Sequence, residues 1–144
     1  MNYQEIEEWL NKYGMTNYTI HDNLVVDVAS GVNLSGKQLM ALPFQFGTVS
    51  GSVYCQDNLL TSLKHCPTTI GGNFSCYNNK LTSLQYCPTT VGGYFYCPDN
   101  PFIVTEENEK EWLQAIKNHK EVYSSYIKEL TEELTNFYKM VWEV

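Results

Sequence analysis

The sequence predicts an α+β solenoid: a short parallel-strand coil of about four 21-residue turns, with a helical cap at the N-terminus and a helical extension at the C-terminus. Three observations predict it. Residues 60–80, "LTSLKHCPTTIGGNFSCYNNK", are followed at once by "LTSLQYCPTTVGGYFYCPDNP" at 81–101, the same phrase at a period of 21. The skeleton of that phrase continues backwards through 39–59 and, more faintly, through 18–38. Both flanks then change to the apolar spacing of helices. A fixed period near 20 marks a stacked-repeat fold, in which one unit cannot bury its own apolar face and neighbours share a core.

The N-terminal element comes first. Residues 2–13 place Ile6, Trp9, Leu10 and Tyr13 on one helical face, and Gly14 is a suitable stop. The chain divides as one domain of 144 residues: a cap at 1–17, the solenoid at 18–102 and helices at 103–144.

The turns are justified column by column. Val49, Ile70 and Val91 share one column. So do Gly51, Gly72 and Gly93, then Val53, Phe74 and Phe95, then Cys55, Cys76 and Cys97, then Asn58, Asn79 and Asn100. In the degraded first copy Val28, Val32 and Leu34 keep their columns, while Lys37 replaces the asparagine. The alternation at 74–76 makes a short strand with two side chains inward, and stacked turns put such strands ~4.8 Å apart in a parallel sheet. The asparagine sits where the chain leaves the strand, and its amide can both donate to and accept from backbone groups exposed there. The Gly71-Gly72 and Gly92-Gly93 pairs permit a sharp turn just before the strand. Pro67 and Pro88 favour an extended return segment over a helix.

The register can be written φ-x-φ-x-x-N-x-L-x-x-L, as in "FSCYNNKLTSL" at 74–84. On this pattern the chain resembles a leucine-rich repeat. The "CPTT" after the second leucine is similar to the short repeats of bacterial secreted effectors, and the tandem wording is similar to leucine-rich-repeat proteins encoded by bacteriophages. The resemblance covers about residues 18–102 and speaks to fold far more than to function. A bacteriophage origin would imply a host protein as partner, and inhibition, for instance of a host defence protein, as the effect.

The last element is the tail. Residues 105–142 read as helix, with Thr105 as N-cap and Glu106 and Glu107 at the positive helix start. An apolar stripe includes Trp112, Ile116, Tyr123, Ile127, Leu130, Leu134 and Phe137, with a break expected near Asn118–His119. A helix of ~12 residues would cover one turn. The stretch from 121 to 142 is therefore a second covering layer, or a handle for another molecule, including a second copy of the chain.

Composition narrows the function. The net charge is -7 and the chain has no arginine. An electrostatic grip on a phosphate backbone and bidentate guanine readout are both disfavoured. The acidic start "MNYQEIEEWL" lacks a signal-peptide pattern, and no run approaches a membrane span, so a cytoplasmic location is expected (the host cytoplasm for a bacteriophage protein). Five cysteines with no C-x-x-C pair do not spell a zinc site. The ladder of Cys55, Cys76 and Cys97 would bring thiols close enough for a disulfide or a soft metal, but reads first as core packing. His21, His65 and His119 lie in separate contexts, and Cys66 beside His65 would point away from it on an extended segment. Asp57 and Asp99 lie two rungs apart, about 10 Å, outside the separation of glycosidase carboxylates. The expectation is a protein that is not an enzyme and needs no cofactor.

What remains are the columns that vary. Outward strand positions carry Ser52, Tyr54, Gln56, Asn73, Ser75, Tyr77, Tyr94 and Tyr96, followed at the strand exit by Asp57, Asn78 and Asp99. Tyrosine with short polar residues is the composition of binding surfaces. The expected partner site is therefore Tyr54, Gln56, Asp57, Asn73, Tyr77, Asn78, Tyr94, Tyr96 and Asp99, facing a protein. The alternatives are a virion or assembly protein self-associating through the C-terminal helices, and a glycan-binding module stacking sugars on tyrosine.

Overall fold

The structure is a computed structural model and describes residues 1–103 and 122–123. Helix α1 spans Tyr3–Lys12. Asn2 caps it, its side-chain oxygen accepting the Glu5 amide at 2.9 Å, and Gly14 ends it with φ 70. Ile6 and Leu10 are buried on the end of the coil, and Trp9 meets Phe44 edge-to-face at 5.1 Å. The helical cap expected at 2–13 is thus present, and it covers the first turn.

Strands β1 (Tyr18–Ile20) and β2 (Val26–Val28) follow as an antiparallel hairpin. The remaining solenoid strands are β3 (Val32–Asn33), β4 (Phe46–Val49), β5 (Val53–Tyr54), β6 (Thr69–Ile70), β7 (Phe74–Ser75), β8 (Thr90–Val91) and β9 (Phe95–Tyr96). They stack into two sheets, not the single sheet that the columns predict. The first has the order β1-β2-β4-β6-β8 and the second ends β9-β7-β5-β3. Apart from the hairpin, neighbouring strands are parallel and, but for a one-residue shift between β2 and β4, in register at one period: Val53 lies opposite Phe74, and Phe74 opposite Phe95.

The Gly-Gly pairs explain why there are two sheets. They form a corner between two strands, where one strand after a turn was expected. Gly71 packs so closely on the turn below that a Cβ would run into the Ser50 carbonyl oxygen. The β-branched pairs Thr48-Val49, Thr69-Ile70 and Thr90-Val91 just before the corner suit a pleated surface, and they build the first sheet.

The coil completes about three turns. The sequence predicts about four, but β1 runs antiparallel, so residues 18–28 close the edge of the first sheet and do not complete a turn. The core lies between the sheets. Leu60, Leu63, Ile70, Phe74, Cys76, Leu81, Leu84, Phe95 and Cys97 are fully or nearly fully buried, and the Phe74 and Phe95 rings meet edge-to-face at 4.9 Å.

At the C-terminal end, β10 (Val122–Tyr123) lies parallel to β9, with Val122 opposite Phe95 and Tyr123 opposite Tyr96. This corrects the helical reading of these two residues. A β-branched and aromatic pair beside the expected break suits an added strand, which extends the second sheet past β9. The rest of the predicted helical extension lies outside the described residues.

Candidate partner-binding face

The asparagine column holds the face in place. The side-chain nitrogen of Asn79, itself buried, donates to the carbonyls of Cys55 (3.0 Å), Cys76 (3.1 Å) and Tyr77 (3.3 Å), and its oxygen accepts the Leu60 amide at 3.0 Å. Asn58 and Asn100 repeat the arrangement one turn away. Each amide ties its own strand exit to the turn before it, which makes the second sheet a stiff platform.

On the outer side of that platform, Tyr94 and Tyr96 are 40% and 37% exposed. Tyr54, Gln56, Asn73 and Tyr77 are half-buried, while Asp57, Asn78 and Asp99 are exposed. Tyr77 and Tyr96 touch edge-to-face with centroids 5.2 Å apart. Ser75, at the outward position between the Tyr54 and Tyr96 rungs, is only 4% exposed. Tyr77 and Tyr96 therefore pack on each other, with the buried Ser75 between the Tyr54 and Tyr96 rungs.

Several residues predicted for the site are engaged within the coil. Asn73 accepts the Tyr94 amide at 3.1 Å, and its own amide donates to the Ser52 hydroxyl at 2.9 Å. It is a rung as much as a contact residue. Asp57, Asn78 and Asp99 have φ of 58, 52 and 57. They turn the chain out of the strand in the left-handed region, which Asn and Asp tolerate best among non-glycine residues. Asn78 also donates to the Asp57 carboxylate at 2.8 Å. The column that reads as surface decoration therefore also makes the bend. Gln56 keeps a buried side-chain oxygen that no donor among the described residues reaches. Ser52, outside the predicted set, is recognisable only from its bond to a residue one period away.

The interior offers no reactive thiol. Burial pushes Cys55 up to about 12, and burial likewise holds Cys66, Cys76 and Cys97 well above the ordinary thiol range. Nucleophilic cysteines need the opposite setting. A void of about 10 Å³ beside Cys55 and Cys66, walled also by Val32, Leu42, Phe46 and Val53, has room for about one water and none for a ligand. His65 Nδ1 lies 2.8 Å from the Leu42 carbonyl oxygen, a bond within the framework. His21 pairs with Asp27 at 2.7 Å on the hairpin. Among the described residues no group of three His, Cys, Asp or Glu side chains is placed to hold a metal, and no helix is long and apolar enough to cross a membrane.

The chain matches no protein-family model, and no curated protein and no solved structure is detectably similar to it. The fold and this face define it as a capped β-solenoid.

Proposed function

We propose that the chain is a non-catalytic protein-binding module that engages its partner through the outer face of the second sheet. The observation that carries this reading is the packed Tyr77–Tyr96 pair, with Tyr54 on the same face, on a platform stiffened by buried asparagine amides. A rigid aromatic surface loses little entropy on binding. On the leucine-rich-repeat-like reading, the module is a bacteriophage inhibitor of a host protein, acting by occupying it. Cytoplasmic action follows from that reading.

The test is capture from bacterial lysate with tagged protein, beside a Tyr54→Ala/Tyr77→Ala variant with an unchanged melting transition. A stoichiometric partner retained by the parent and lost by the variant supports the reading. A partner retained equally by both overturns it.

A further inference from the structure

Resting on that reading, we infer that the partner presents a basic segment, and that arginine suits the face better than lysine. The charge distribution is the first support. No outward position of β3, β5, β7 or β9 carries a charge, while Asp57 and Asp99 stand exposed at the rim where the strands end. Of the described lysines, Lys12 lies in α1 and Lys64 on a return segment, while Lys37 and Lys80 follow the strand exits and form no ion pair with a described carboxylate. Among the described residues the one ion pair is His21 with Asp27, far along the chain on the hairpin. Among the described residues, then, no ion pair neutralises the rim carboxylates. Asp57 accepts from the Asn78 side-chain amide, a neutral donor.

The aromatic geometry is the second support. The half-buried ring of Tyr77 is packed edge-to-face on Tyr96, and Tyr54 belongs to the same face. Aromatic faces attract cations through their quadrupole. A planar guanidinium stacks on such a ring and can pair bidentately with a carboxylate at the same time, whereas an ammonium acts as a point charge. Tyr77 and Asp57 lie one rung apart at the strand exit, so one arginine side chain could meet both kinds of group. The first sheet offers no such pairing: its outward column is Asp27, Thr48, Thr69 and Thr90, without an aromatic ring.

The probes are short oligo-arginine, oligo-lysine and oligo-glutamate peptides titrated into the full chain at low and at high salt. Oligo-arginine should bind, weaken with salt, and exceed oligo-lysine by about twofold or more. Tyr77→Ala and Asp57→Asn should each weaken it about threefold. Asn78 shows that asparagine accepts the backbone conformation of this column. A Glu7→Gln/Glu8→Gln variant removes two charges from α1 and should leave binding unchanged. Equal loss from the helix variant and from an Asp57→Asn/Asp99→Asn variant would reduce the effect to overall charge and overturn the inference. Absence of binding, or parity of arginine with lysine, overturns it too. A captured partner that depends on Tyr77 but binds independently of salt would overturn the basic-segment inference and leave the proposed function standing.

Discussion

The two sheets share one frame and show solvent different things. In both, neighbouring turns align at one period, and the apolar columns point inward. Outside, the first sheet repeats itself: Thr48, Thr69 and Thr90 in one column, Ser50, Gly71 and Gly92 in the next. The second sheet changes from rung to rung, with Tyr54, Ser75 and Tyr96 in register. The corner accounts for the difference. The chain turns a corner directly after the first sheet, and the corner glycines lie against the backbone of the turn below, so those positions have no room for a side chain. Past the corner the backbone is supported from inside by the asparagine amides, and the outer positions are free to vary.

Substitutions can break this contrast, in order of expected size. Gly71→Ala puts a methyl group against the Ser50 carbonyl, a backbone atom that cannot swing aside. We expect a loss of about 4 kcal/mol or more in a urea titration. Asn79→Ala is next. It leaves the Leu60 amide without its side-chain acceptor and the Cys55 and Cys76 carbonyls without its amide donor. The expected cost is about 3 kcal/mol in the same assay. Tyr54→Ala, on the variable face, should shift the transition by less than about 1 kcal/mol, since its ring is half-exposed. If Tyr54→Ala costs as much as Gly71→Ala, the division into frame and surface fails.

The smallest effect concerns the hairpin. The Thr48 amide and then His21 hold the Asp27 carboxyl below its ordinary 3.8. A carboxyl with a depressed folded value stabilises the fold above the unfolded value. That contribution disappears as the pH falls through the folded value. Asp27→Asn should therefore flatten the acid end of a melting-temperature profile below about pH 4. At neutral pH it should cost less than about 1 kcal/mol, because the pair is largely exposed.

Much of the frame was legible in the sequence. The period, the inward columns and the bonding role of Asn58, Asn79 and Asn100 follow from spacing and side-chain chemistry alone. The first sheet was not legible, because strands as short as Thr69–Ile70 have no alternation to detect. Nor was the hairpin, whose tight turn uses Leu24 at φ 67, a conformation that leucine does not advertise. At the candidate face, the outward tyrosines were readable from the two-residue period. The bracing of Asn73 and Asn78 was not, because their partners lie 21 residues away.

The asparagine ladder has a consequence for how such a chain can change over generations. Its bonds reach into the adjacent turn or stay within their own, never further. Removing residues 60–80 would rejoin Asn58-Leu59 to Leu81 with every column still in step, and the shortened coil would lose one rung and nothing else. An addition or loss of any other length would need a bulge or a loop to restore the columns, as the one-residue shift between β2 and β4 does. Whole periods are therefore the unit in which the molecule lengthens or shortens without repair, so tandem duplication is a ready source of longer relatives, each carrying a fresh rung on which the outer side chains can diverge.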